Sequence, residues 1–247
     1  MIRPGRGTDP LLGRPFALYD TILDASQQPV AFEFAYHVIG KMTALMSQWK
    51  SGTAVQIWGP LGNGFPSFSG RHLLCVGGGI GYTPFLAAAR AALGLRRYGA
   101  SEAAESAFGP ARVSFCYGVQ SKRFRADLAD FEPLTGLKTY LTTDDGTEGR
   151  AGFVTAVVSE LLAARGDDRP DGVFCCGPEP MMTAVARLCE TASVPCWLSL
   201  ETPMACGFGA CFSCVTRVRD ESQPEGWDYR RTCVEGPVFR ADQLAGI

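Results

Sequence analysis

Four cysteines late in the chain have a spacing suited to holding a metal centre. Cys206 is followed after four residues by Cys211 and after two more by Cys214; eighteen residues then separate Cys214 from Cys233. A C-x4-C-x2-C run with a distant fourth cysteine is the plant-type [2Fe–2S] spacing. Thiolates are soft donors that suit iron. The loop between the first two cysteines must wrap the centre with its amides turned toward sulfur, and Gly207 and Gly209 permit the backbone angles this requires. Ala205 and Ala210 keep the wall thin. Structural zinc, which favours paired knuckles, disulfides and reduced bystander thiols are the competing readings.

The chain holds 10 cysteines in 247 residues, so six need another account. Cys75, Cys116, Cys175 and Cys176 fall in predicted strands, Cys189 on a predicted helix, and Cys196 opens a strand. Five of them read as small hydrophobic core fillers; Cys176, followed by Gly177-Pro178, stands apart. A chain this long does not need disulfide staples. The first twenty residues carry no basic segment leading into an apolar one, so a cytoplasmic protein with reduced thiols is expected. A net charge of −2 argues against a basic field aimed at nucleic acid or anionic membrane. The apolar stretch from Leu73 to Leu95 is broken by glycines, Pro84 and Arg90, and is not expected to span a membrane. The other histidine besides His37, His72, is expected at the surface.

A second chemical feature is the run Val76-Gly77-Gly78-Gly79-Ile80-Gly81-Tyr82-Thr83-Pro84. It reads as strand, glycine turn and helix, with Thr83 as N-cap and Pro84 in the first helical position. Amides at such a helix start suit a phosphate. Tyr82 stands where a G-x-G-x-x-G run needs its third glycine, so that fingerprint is absent and a purely structural turn is the alternative.

Three zones must position these residues. Residues 1–69 read as β-rich, with strands over Phe32–Ile39 and Ala54–Trp58 and a turn cluster at Gly59–Gly64. Residues 70–198 alternate apolar strands (Leu73–Val76, Val113–Tyr117, Thr139–Leu141, Val173–Cys176, Cys196–Leu200) with helices (Pro84–Arg97, Lys122–Phe131, Phe153–Ala164, Glu179–Ala192). This alternation predicts a doubly wound parallel α/β sheet, which binds ligands beyond the carboxyl ends of its strands. Gly94–Pro110 reads as a surface connection. Residues 199–247 are too few to bury much apolar surface alone, which a metal centre would offset.

Taken together these motifs resemble the ferredoxin–NADP reductase superfamily, and within it the electron-transfer subunits of class B dihydroorotate dehydrogenase. Gly13-Arg14-Pro15-Phe16-Ala17 is similar to the family's Arg-Pro-x-Ser flavin motif. Tyr36-His37-Val38 and Gly40-Lys41-Met42-Thr43 resemble its second and third flavin segments. Gly59–Phe65, Thr143-Asp144-Asp145-Gly146 and Cys176-Gly177-Pro178-x2-Met181 resemble further family turns, the last of them beside the nicotinamide. The cysteine segment, with Gly236-Pro237-Val238-Phe239 after Cys233, is the most specific match.

The resemblance implies a partial antiparallel flavin-binding β-barrel, an α/β nucleotide domain and a C-terminal [2Fe–2S] domain. FAD would contact Arg14, Pro15, Phe16, Ala17, Tyr36, His37, Val38, Met42 and Thr43; NAD would contact Gly77, Gly78, Gly79, Gly81, Cys176, Gly177, Pro178 and Met181. The partner would be an FMN-containing subunit that oxidises dihydroorotate, in a heterotetramer of two of each, with electrons passing through the cluster and FAD to NAD+ in pyrimidine biosynthesis. A reductase subunit of another NAD(P)H-linked complex and an iron–sulfur redox sensor are the alternatives. Lys122 and Arg123, after the second strand, leave room for a 2′-phosphate. Ala17, His37 and Met42 depart from the family pattern. Arg14 also comes early, so the flavin domain is expected to lack its N-terminal strands, through a start assigned too far downstream or a remodelled domain.

Overall fold

The computed structural model describes residues 1–98 and 111–246; most of the expected connection before Pro110 lies outside them. The first zone forms β1 (Ile2–Pro4), β2 (Asp20–Leu23), β3 (Pro29–Glu33), helix α1 (Lys41–Met46) and β4 (Val55–Ile57). Two antiparallel ladders result, β1 with β4 and β2 with β3. Pairing stops at Glu33, short of the expected Ile39. Beyond it Phe34 stacks on Phe16 with centroids 4.9 Å apart.

The second zone forms β5 (His72–Gly78), α2 (Phe85–Ala92), β6 (Arg112–Val119), β7 (Leu137–Thr143), β8 (Arg150–Ala151), α3 (Val154–Ala163), β9 (Gly172–Cys176), α4 (Glu179–Thr191) and β10 (Cys196–Ser199). The third forms the hairpin β11 (Val215–Arg219) and β12 (Trp227–Arg231), then β13 (Val238–Arg240). One sheet of seven strands runs in the order β13-β10-β9-β5-β6-β7-β8. All its pairs are parallel except β13 on β10. The expected boundary at residue 198 is therefore crossed by β13, which returns from the third zone to close the sheet edge.

Every residue of β5 is buried, because helices or loops cover both faces of a parallel sheet. Leu74, Val76, Cys116, Cys175 and Cys196 pack under α3 and α4, while Leu73, Cys75, Phe115, Tyr117 and Phe174 pack under α2 and the Leu128–Leu134 segment. Among the described residues no helix is long and apolar enough to cross a membrane.

Three local expectations are corrected. Residues 122–131 do not form a helix: a 3-10 turn over Lys122–Phe124 is followed by an Asx turn in which Asp127 accepts from the Ala129 amide at 3.0 Å. Such bonding competes with helix, and Phe131 is drawn into the core. Thr83 is not the cap of α2, because a 3-10 turn over Gly79–Tyr82 intervenes and Pro84 caps the helix. His72 is not at the surface; it is 2% exposed. Its Nε2 lies 2.9 Å from Ser114 Oγ, and its Nδ1 accepts from the Arg112 guanidinium at 3.2 Å. Burial, then the Arg112 charge, holds its pKa below the usual 6.5.

The first zone docks on the second through Asp20, which is 4% exposed. Its carboxylate accepts from Arg90, from Arg96 at 2.8 Å and from the Tyr98 hydroxyl at 2.6 Å. Burial pushes this carboxyl up, but the Tyr98 and Thr21 hydrogen bonds and the two arginines outweigh it and hold it below the usual range. Beside it the Tyr19 hydroxyl donates to Asp130 at 2.8 Å.

Candidate functional site

The β11–β12 hairpin brings the third and fourth cysteines together. Its register sets Val215 opposite Arg231, so Cys214, just before β11, lies beside the turn that carries Cys233. Their sulfurs are 3.2 Å apart and both are buried. Thr232, fully buried, donates its amide and its hydroxyl to the Cys214 carbonyl at 2.8 and 3.0 Å.

The first two cysteines form a second pair. Cys211 is exposed. Its thiol is pulled down to about 6 by the hydroxyl and amide of Ser213, then by the amide and thiol of Cys206. Cys233 moves the other way, pushed up to about 11 by burial and by Cys214 beside it, with the Gly209 amide opposing. The amides of Ser213, Cys206 and Gly209 thus face sulfur, as the wrapped loop requires. Gly207 and Gly209 have φ of +79° and +89°, and Phe212 sits at +54°, a conformation that strains a residue with a side chain.

This pairing bears on the metal. A [2Fe–2S] cluster takes four thiolates across two irons, and two thiol pairs fit that division.

The cluster segment is held from the first zone. The Trp58 indole donates to the Cys206 carbonyl at 2.9 Å. Its ring also packs on Gly13, where a Cβ would come within 2.4 Å of it. Trp58 therefore touches both the Arg14 motif and the first cysteine. Asn63 holds the other end: its amide donates to the Glu235 carbonyl at 2.9 Å and its oxygen accepts from the Val238 amide at 3.0 Å. The Gly59–Gly64 turn packs so closely that a Cβ on Gly62 would lie 2.2 Å from the Gly236 oxygen.

The two segments expected beside a nicotinamide nucleotide meet at the carboxyl ends of β5 and β9. Gly77 pairs with Cys176. A Cβ on Gly81 would sit 2.3 Å from the Cys176 carbonyl, and one on Gly78 would sit 2.6 Å from Met181 sulfur and 2.8 Å from Pro178. Gly79 has φ +54° and open space around it. Gly177, with φ +156°, lies against Gly78 and Met181. Cys176 is half-buried; burial pushes its thiol up to about 11, against a Ser199 hydrogen bond.

The flavin segments are gathered only in part. Phe16 lies 5.9 Å from Tyr36 between centroids, joining the first two. Arg14, Pro15, Ala17, His37 and Val38 are exposed, and Arg14 donates to the carbonyls of Leu12 and Gly13, both at 3.1 Å. Met42 is 1% exposed and belongs to the core. The Thr43 hydroxyl caps α1, accepting from the amides of Ile39 and Gly40, both at 3.1 Å.

Comparison with known proteins agrees with this layout. Residues 201–245 match the model of the iron–sulfur cluster binding domain of dihydroorotate dehydrogenase B. A Caldanaerobacter subterraneus subsp. tengcongensis protein, the electron transfer subunit of dihydroorotate dehydrogenase B (NAD(+)), is 35% identical over 94% of this chain and 81% of its own length. The subunit of the same name from Bacillus caldolyticus is 35% identical over 98% of this chain and 84% of its own. The chain belongs to this family of electron transfer subunits. Among solved structures, a chain of the NADH-dependent reduced ferredoxin-NADP oxidoreductase superposes with a TM-score of 0.69 at 25% identity, covering 94% of this chain and 80% of that one. The ferredoxin reductase of carbazole 1,9a-dioxygenase shares the fold over 72% of this chain, with a TM-score of 0.54 at 23% identity.

Within this family member, Trp58, Asn63, Ser213, Arg231 and Glu235 were not singled out from the sequence. Ser213 lies inside C-x2-C, Arg231 two residues before Cys233, and Asn63 within the Gly59–Phe65 turn; the contacts of Trp58 and Asn63 reach across 148 and 172 residues, which no local pattern encodes.

Proposed function

We propose that this chain is the electron-transfer subunit of a dihydroorotate-oxidising complex, passing electrons to NAD+ in pyrimidine biosynthesis. The carrying observation is the arrangement of four cysteines in two thiol pairs within the matched segment, tied by Trp58 to the Arg14 motif. Cys206, Cys211, Cys214 and Cys233 would hold a [2Fe–2S] cluster, which would supply one-electron transfer. Arg14–Ala17, Tyr36–Val38 and Thr43 would border FAD, with Met42 packed in the core beneath; Gly77–Gly81 and Cys176–Met181 would border the nicotinamide nucleotide. When bound, the flavin accepts single electrons and delivers a pair as hydride.

The chain's own contribution is placement. Gly79 leaves backbone open at the carboxyl end of the sheet, where a nucleotide would approach. Trp58 and Asn63 hold the cysteine segment against the flavin motif. Phe208, Phe212 and Val234 are exposed around the thiols and suit docking of the FMN-containing subunit. The dihydroorotate chemistry then belongs to that partner, and two copies of each chain make the complex. The buried, reduced thiols suit a cytoplasmic setting. The three zones at 1–69, 70–198 and 199–247 serve as flavin, nucleotide and cluster modules.

The test is purification of the chain alone and with its partner. The isolated chain is expected to oxidise NADH with an artificial acceptor and to leave dihydroorotate untouched, and the pair is expected to reduce NAD+ with dihydroorotate. Dihydroorotate oxidation by the chain alone would sink the assignment.

A further inference from the structure

Arg231 joins the segment of the fourth cysteine to both sides of the loop carrying the second. It ends β12, opposite Val215 and two residues before Cys233. Its Nη1 donates to the Gly209 carbonyl at 3.1 Å, upstream of Cys211, and its guanidinium lies 5.0 Å from the centre of the Phe212 ring, downstream of it. A guanidinium over an aromatic face is attractive, and Phe212 itself has the left-handed φ of +54°. The contact with Gly209 matters more. The amide of Gly209 faces the Cys233 sulfur while its carbonyl is gripped by Arg231. Glu235 braces the guanidinium, accepting from Nη2 at 2.5 Å, from Nε at 3.2 Å and from the Arg231 amide at 2.8 Å. The thiols of Cys233 and Cys214 act electrostatically on the same guanidinium.

We propose that the Arg231–Glu235 pair sets the reduction potential of the cluster, with Arg231 as a positioning residue that holds the Gly209 amide on Cys233 and supplies positive charge beside the Cys214–Cys233 pair. This rests on the reading of the four cysteines as [2Fe–2S] ligands. One-electron reduction adds one negative charge to the thiolate-ligated centre; the electron comes from the partner or, in reverse, from NADH. A cation and an amide donor stabilise that charge, and hydrogen bonds to sulfur are a recognised lever on such potentials. The carboxylate of Glu235 carries the opposite charge and opposes the effect.

The two members of the pair therefore have opposite signs, which a purely structural role would not produce. Midpoint potentials are read by redox titration of the cluster-loaded protein, followed by its visible bands and by the electron-spin signal of the reduced form. Arg231→Met is expected to move the midpoint to more negative values, Arg231→Lys by less, and Glu235→Gln to more positive values. Midpoints equal to wild type in all three, or shifts of Arg231→Met and Glu235→Gln in the same direction, overturn the proposal. If Arg231→Met fails to retain the cluster, Glu235→Gln decides alone: a positive shift supports the proposal, and no shift or a negative one overturns it. A wild-type protein without [2Fe–2S] signals overturns the ligand assignment itself, which separates that failure from the failure of the Arg231 role.

Discussion

The chain uses cysteine in two regions with opposite results. In the central sheet, Cys75, Cys116 and Cys175 are fully buried. Burial raises all three thiols, Cys116 to about 12, so they remain protonated fillers. In the third zone Cys214 and Cys233 are buried too, but Cys211 is exposed and its thiol is drawn down to about 6 by hydroxyl and amide donors. The sheet has a large apolar core on each face. The cysteine segment has little core and is held by Trp58 and Asn63 from outside. Residue type therefore does not decide the chemistry; desolvation and local donors do.

The sharpest break of this comparison exchanges one cysteine from each region. Cys233→Ser is expected to abolish the visible iron–sulfur bands, iron content and electron delivery to the partner. Cys75→Ser is expected to keep the cluster and lower stability by about 1–3 kcal/mol, because the hydroxyl is buried without a designed partner; thermal unfolding and iron analysis check both. Equal iron loss from the two variants would erase the distinction.

Alkylation of the metal-free protein comes next. At pH 7 iodoacetamide is expected to modify Cys211 orders of magnitude faster than Cys75, Cys116 or Cys175, because the thiolate is the nucleophile. The Cys211 rate should rise with pH through a midpoint near 6. Peptide mass spectrometry reads the order, and early labelling of Cys75 would contradict it.

Asn63→Ala tests whether the cysteine segment depends on its neighbour. It removes the acceptor of the Val238 amide and the donor to Glu235, an expected cost of about 1–3 kcal/mol. Hydrogen exchange should quicken in residues 233–239 and not in β5 or β6. Uniform quickening would mean that the two regions unfold as one.

The smallest effect is a pH slope confined to the sheet. His72 has a lowered pKa in the folded chain, so the unfolded state binds the proton first. Its contribution is fully present above the usual pKa of 6.5 and declines as pH falls below that value. Urea midpoints from pH 7.5 downward should show the decline, and His72→Gln should flatten it.

Much of the fold could be read along the chain. β5, β6, β9, α3 and α4 lie within a few residues of their expected spans because buried parallel strands are continuous apolar runs and α3 and α4 carry helical periodicity. The stretch 122–131 misled because Asp127 and Phe131 answered to a side-chain turn and to the core rather than to helical spacing. His72 misled because both its polar partners, Arg112 and Ser114, lie on another strand.

The sequence alone determined what is local. Cysteine spacing set which thiols could share a centre, and the glycines set where the backbone could turn against a ligand, since both follow from covalent connectivity and φ. Tertiary structure alone decided the long-range matters: the sorting of four thiols into two pairs by the β11–β12 register, the Trp58 bond to Cys206, the return of β13 to the sheet, and the Arg231–Glu235 brace. These depend on which surfaces meet after the chain closes on itself, and apolar patterning records that a face is buried without recording what buries it.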